Sequence, residues 1–184
     1  TMSGIIIDPY RFAAGYANDN CFDFDGTDEL FTTGLSLAYA SVPTWSISYW
    51  IKTSATLTAW ASYFAISVNV DNNQYNYAAG RLYVNLATLV VGIQGSGSSY
   101  GSTQLNDGDW HNIVQVYTDN GGTQQRVRIF VDGGTTAEAD LANTLSARPL
   151  TSDLFIGCRD AAYDRGWPGR IDEVAVWNTD KRGD

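Results

Sequence analysis

Asp107-Gly-Asp-Trp-His-Asn-Ile-Val-Gln-Val-Tyr117 combines a turn, an aromatic anchor and an alternating strand in one short stretch. Asp107-Gly108 offers the positive-φ positions that a two-residue hairpin loop needs. Beyond it, Trp110, Asn112, Val114 and Val116 point one way, and His111, Ile113, Gln115 and Tyr117 the other. Working outward, the same alternation predicts strands at Cys21–Phe24, Leu30–Phe31, Trp45–Lys52, Tyr63–Val70, Arg81–Asn85 and Leu89–Gln94. More are expected at Asn112–Tyr117, Arg126–Val131, Asp153–Ile156 and Arg170–Trp177. Asp25-Gly26, Asn120-Gly121 and Asp132-Gly133 add further hairpin or tight-turn signals, while Gly95-Ser-Gly-Ser-Ser99 reads as a flexible loop. No helical period, repeat or heptad is visible. Short alternating strands at regular spacing predict an all-β fold, an antiparallel two-sheet β-sandwich of the jelly-roll kind.

On the Trp45–Lys52 strand, Trp45, Ile47, Tyr49 and Ile51 share one face, and Ser46, Ser48, Trp50 and Lys52 the other. Trp50, Trp110 and Trp177 are expected to fill the core. Residues 1–16 read as an extended arm, with Asp8-Pro9 as a turn, and residues 17–184 as one domain long enough to bury a full core. No apolar run is long enough to span a membrane, so no membrane insertion is expected, and no signal peptide is visible.

Charged residues make up 17% of the chain, below the roughly 25% usual in soluble domains. Ser, Thr, Asn, Gln and Tyr must therefore finish the surface, as they do in carbohydrate readers and in stable extracellular or virion proteins. A net charge of -9 repels phosphate backbones, which argues against nucleic acid as a partner. Acidic loops can recruit Ca²⁺, a hard cation that takes oxygen ligands, or can simply keep the chain soluble. Cys21 and Cys158, the only cysteines, are too far apart in sequence for CxxC chemistry. They leave two readings, a disulfide if the strand ends meet or two semi-buried thiols.

Five segments in order carry a family pattern: Phe24-Asp25-Gly26, Trp110-His111-Asn112-Ile113, Phe130-Val131-Asp132-Gly133, Ile156-Gly157, and Gly169 to Asn178. In order and spacing they resemble laminin-G-like domains of the concanavalin A-like lectin/glucanase superfamily, a fold shared with the pentraxins. The resemblance covers about residues 17 to 180 and implies the same two-sheet jelly roll. It also implies that the chain is cut short before a C-terminal segment, because such domains continue there into a terminal helix.

Glucanases of this superfamily set carboxylates at alternate positions along one strand, so that acid and base face the cleft together. Asp172-Glu173 is the only comparable pair here, and adjacent strand residues leave opposite faces. No third carboxylate follows, and His111 is the sole histidine, so no enzyme activity is expected. Pentraxins hold Ca²⁺ with an Asp-Asn pair after a mid-sheet strand and with acidic residues before the last strand. The resemblance places Asp71, Asn72, Asp160 and Asp164 in a matching rim site, although Cys158-Arg159-Asp160 carries one carboxylate fewer than the family run. Asp23 and Asp25 on the first strand, with Asp172 on the last, form an alternative convex-side Ca²⁺ set. The plainer reading has Asp25 capping its turn and Asp172 accepting backbone N–H bonds.

Sugars stack on aromatic rings while planar polar groups read their hydroxyls. Tyr75 and Tyr77 beside the Asp-Asn pair, and Tyr163, Asp164 and Trp167 in the penultimate loop, are the expected ligand-binding residues, on one rim. Trp60, Tyr63 and Tyr100 are weaker candidates, and Arg182-Gly183-Asp184 matches an integrin tripeptide too short to be informative. Two functions are expected. One is a non-catalytic, lectin-like adhesion module for glycans or glycoconjugates, Ca²⁺-assisted or not, at an extracellular or virion surface. The other is a structural virion decoration or tail-fibre domain that contacts other virion or surface proteins without binding sugar. The second draws on Met2-Ser-Gly-Ile-Ile-Ile-Asp-Pro-Tyr-Arg-Phe12, which resembles openings of phage structural proteins.

Overall fold

The structure, a computed structural model, describes residues 21–27, 29, 31–36, 44–56, 62–68, 80–85, 88–94, 98–119, 125–143, 153–158 and 166–181. Twelve strands and no helix occur among them: β1 (Phe22–Asp25), β2 (Phe31–Ser36), β3 (Thr44–Lys52), β4 (Ser62–Val68), β5 (Gly80–Asn85) and β6 (Thr88–Gln94), then β7 (Ser98–Tyr100), β8 (Trp110–Asp119), β9 (Gln125–Val131), β10 (Ala139–Asn143), β11 (Asp153–Ile156) and β12 (Pro168–Trp177). They form two six-stranded sheets, β1-β12-β3-β8-β9-β10 and β2-β11-β4-β5-β6-β7, with every neighbouring pair antiparallel. The expected two-sheet β-sandwich is the observed fold.

The first sheet is organised by β3 and β8, paired without a break from Thr44–Thr118 to Lys52–Trp110. Period-two alternation turns Trp45, Ile47, Tyr49 and Ile51 inward with His111, Ile113, Gln115 and Tyr117. Trp45 and Tyr117, directly opposite in register, stack at 5.3 Å between ring centroids with 10° between their planes. Val127, Ile129 and Val131 of β9 and Ile171 of β12 extend this inner face. Ala65 and Ile66 of β4, Val91 of β6, and Leu154 and Ile156 of β11 belong to the same buried cluster from the second sheet.

The tryptophan expectation is corrected. Among the described residues Trp45 and Trp167 are the wholly buried tryptophans, whereas Trp50, Trp110 and Trp177 are half-buried. By alternation Trp50 and Trp110 lie on the outer face, because their strand neighbours Ile51 and His111 point inward. The turn at Asp107-Gly108 is also not a hairpin. It lies in the 101–109 segment that carries the chain from β7 in the second sheet to β8 in the first. Asp25-Gly26 likewise sits where the chain leaves the first sheet for the second. Asp132-Gly133 does join paired strands: both residues have positive φ (50° and 71°) and Gly134 N donates to Val131 O at 2.9 Å, as in a type I′ turn. Asn120-Gly121 lies outside the described residues. Two strands escape the sequence pattern, β7, which takes up part of the expected flexible loop, and β10. Each is the last strand of its sheet and is held by one neighbour. No disulfide joins Cys21 and Cys158.

The inner face has one internal conflict. Trp45 Nε1, Tyr49 Oη and both Gln115 side-chain polar atoms are buried and find no hydrogen-bond partner among the described residues. Burial also pushes the Tyr49 phenol well above its usual pKa. Trp45→Ala should cost ~3–5 kcal/mol in chemical denaturation, the loss expected when a buried tryptophan leaves a cavity, and Trp110→Ala distinctly less. Gln115→Leu should leave stability unchanged or raise it, since it removes two unsatisfied polar atoms at similar volume. A loss above ~1 kcal/mol in that variant would show that the Gln115 amide is satisfied in the folded protein.

Candidate functional site

The outer face of the first sheet arranges its side chains in rows dictated by register. One row runs from Asp172 on β12 through Trp50 on β3 to Asn112 on β8. The next runs from Asp23 on β1 through Arg170 and Lys52 to Trp110. Strand spacing makes this a patch of about 7 by 14 Å. It holds two indoles, an amide, two carboxylates and two cations, so its net charge is close to zero. Asn112 Nδ2 donates to Ser48 Oγ at 3.2 Å and to Tyr49 O at 3.4 Å, which fixes the amide plane. Arg170 Nε donates to Asp23 Oδ2 at 3.4 Å. The other half of this face is covered by the chain after β12: Ser46 Oγ donates to Thr179 O at 2.8 Å, and Arg128 pairs with Asp180.

β12 is irregular where it meets this patch. Its register against β3 shifts between Asp172 and Ala175, and Glu173 lies in the left-handed region at φ 49°. Such a bulge re-aims side chains and is costly for a non-glycine residue. Asp172 Oδ1 accepts the Glu173 N–H at 2.8 Å. Burial nevertheless raises the Asp172 pKa, and that one hydrogen bond offsets the burial only in part. The bulge and the desolvated carboxyl fall beside Trp50.

His111, near the start of β8, faces inward, with 9% of its side chain exposed. Nδ1 meets Asp132 Oδ2 at 2.8 Å and Nε2 meets Asp107 Oδ1 at 3.1 Å. Both ring nitrogens are thus taken up by carboxylates, and among the described residues no serine hydroxyl is placed on the ring as a Ser/His/Asp arrangement would need.

Of the residues expected from the sequence, Asp71, Asn72, Tyr75, Tyr77, Asp160, Tyr163 and Asp164 lie outside the described residues. Trp167 is wholly buried with Nε1 directed at Arg170 O (3.3 Å), so it packs the core and offers no face to a sugar. The convex-side set is not brought together: Asp23 pairs with Arg170, Asp25 Oδ1 accepts the Thr27 N–H at 2.8 Å, and Asp172 accepts from Glu173. Among the described residues no three His, Cys, Asp or Glu side chains are grouped to hold a metal. Asp25 as a turn cap and Asp172 as a backbone acceptor match the plainer of the two sequence readings. Trp50, Trp110 and Asn112 were not expected as site residues. The signal for Trp50 was its place on the polar face of its strand, among Ser46, Ser48 and Lys52.

Residues 24–182 match the sequence profile of the concanavalin A-like lectin/glucanases superfamily. The chain belongs to that superfamily. No curated protein sequence matches it. Among solved structures it is similar to a heptameric SAP-like pentraxin from Limulus polyphemus, with TM-score 0.61 and 17% identity over 85% of this chain and 75% of that one. It is also similar to domains LG4-5 of mouse laminin α1 (TM-score 0.57, 17% identity, 91% of this chain and 44% of that one). A third is a putative carbohydrate binding protein from Bacteroides ovatus (TM-score 0.53, 13% identity, 84% of this chain and 42% of that one). The chain spans less than half of the latter two, and at these identities the likeness is one of fold.

Asp172→Asn should raise the melting temperature at pH 7, because it removes a carboxylate whose ionised form burial disfavours. A raised carboxyl pKa disfavours folding above that pKa and has no effect below the unfolded value. The gain over the native protein should therefore shrink as pH falls through the raised Asp172 pKa towards 4. Thermal melts of both proteins from pH 4 to 8 measure it, and a variant less stable at pH 7 would contradict the assignment.

Proposed function

We propose that this chain is a non-catalytic, lectin-like carbohydrate-binding module that adheres to glycans through the outer face of its first sheet, displayed on an extracellular or virion surface. The observation that carries the reading is the placement of Trp50 and Trp110 on neighbouring strands, half-buried, with Asn112 and Asp172 on either side of Trp50 in its row. Indole faces take the apolar side of a pyranose, and an immobilised amide with a partly desolvated carboxyl reads its hydroxyls. The near balance of charge within the patch suits a neutral sugar better than a polyanion. Superfamily membership and the uncharged polar surface support the same reading. Against catalysis stand the engaged nitrogens of His111.

Adhesion to a glycan array, with Trp50→Ala, Trp110→Ala and the double variant beside the native chain, tests the proposal. Each single variant should weaken adhesion about tenfold or more, ~1.4 kcal/mol, with the far-UV circular dichroism unchanged. Loss of adhesion on replacing Tyr163 and Tyr75, with the double tryptophan variant unaffected, would move the site to the loops. Ca²⁺ assistance through Asp71, Asn72, Asp160 and Asp164 is a further part of the proposal, checked by repeating the array in chelator. Native protein that binds no glycan with or without Ca²⁺ would replace the lectin reading by the structural virion one.

A further inference from the structure

The sole histidine of the chain bridges two segments that are distant in sequence. Asp107 belongs to the 101–109 segment that crosses between the sheets, and Asp132 to the type I′ turn after β9. Asp132 is itself held twice by β8: its Oδ1 accepts the Asn112 N–H at 2.9 Å, and its own N–H donates to Asn112 O at 2.9 Å. Asp107 Oδ1 also accepts the Asp109 N–H at 2.9 Å. An ionised carboxylate only accepts, so both contacts of His111 require N–H donors. Only the imidazolium has two.

We propose that His111 is a pH-responsive clip: as imidazolium it ties the 101–109 segment to the end of the first sheet, and on losing its proton it releases Asp107. Asp107 is the partner released because its contact is the longer one and Asp132 stays bound to the β8 backbone. A neutral ring keeps Nδ1–H on Asp132 and turns the Nε2 lone pair toward the Asp107 carboxylate, an acceptor facing an acceptor. Burial by itself would lower the His111 pKa, but hydrogen bonds and charge from Asp132 and Asp107 outweigh it and leave it raised. Those two carboxylates are the charged groups acting on the ring. Tyr49, on the same inner face of β3, is pushed far above this pH range, and Lys52 follows inward-facing Ile51 on β3 and so points to the opposite face of the sheet. A raised imidazole pKa means that the clip's contribution is complete below the unfolded value of about 6.5. It is lost as pH rises through the folded value.

This inference is independent of sugar binding and is tested without it. In the untagged protein His111 gives the only imidazole signals, so an NMR titration reads its pKa directly; a value above about 6.5 is expected. The melting temperature should fall by about 2–4 °C as pH rises through that pKa, while His111→Gln should show no such fall. Amide exchange at residues 105–109 should accelerate over the same range in the native protein. The clip is overturned by a His111 pKa at or below the unfolded value. It is equally overturned if His111→Gln keeps the native pH slope, or if exchange in the 105–109 stretch ignores pH.

Discussion

The pairing of β3 with β8 is the constraint on which the rest of the sandwich depends. Both strands lie in the middle of the first sheet, and nine successive residue pairs hold them in register. A slip of β3 by one residue would reverse every one of its side chains. Trp45 and Tyr49 would then face water, and Trp50 would enter the core. The inner stack of Trp45 on Tyr117 and the outer patch around Trp50 are two consequences of one register, so core packing and the proposed binding face are fixed together.

The family segments that lie scattered along the chain meet in space. Phe24, from the first, packs on Gly157, from the fourth; a Cβ there would lie 2.3 Å from the ring, at a φ of +92° that side chains rarely adopt. Gly157 O also accepts the Trp167 N–H at 2.7 Å. His111, from the second, bonds Asp132, from the third. Gly169, opening the fifth, lies so close to β3 that a Cβ would come within 2.3 Å of Lys52 O. Each segment is short because it supplies one half of a contact, and spacing between the halves is free to vary with the loops.

This explains which features were legible in the sequence. Strands with strong alternation, such as Thr44–Lys52 and Gln125–Val131, announce themselves, since period two is a local property. Short end strands such as Ser98–Tyr100 and Ala139–Asn143 do not, because one neighbour and not their own pattern makes them strands. Asp107-Gly108 shows a positive-φ turn but not which sheet receives the chain afterwards, so a crossing segment reads like a hairpin. Alternation likewise separates the two faces of β8 without saying which is inside, and Trp110 was misplaced for that reason. Asp172 was picked out as a carboxylate, but its neighbours Trp50 and Asn112 come from other strands, which only the register assembles.

The proposed binding face is also where the sheet departs from regularity. A regular β12 would pair evenly with β3 and keep Glu173 out of the left-handed region. The bulge does the opposite: it costs backbone strain and interrupts the ladder, next to an acid whose charge burial disfavours. The core gains from this: Ile171 before the bulge is buried in register with Ile51, and the extra residue shifts the alternation so that Val174 and Val176 after it pack against the core. Strict alternation from Ile171 would instead send Glu173 inward and both valines outward. One inserted residue thus reconciles an apolar inner face after the bulge with the outer row of Asp172, Trp50 and Asn112 before it.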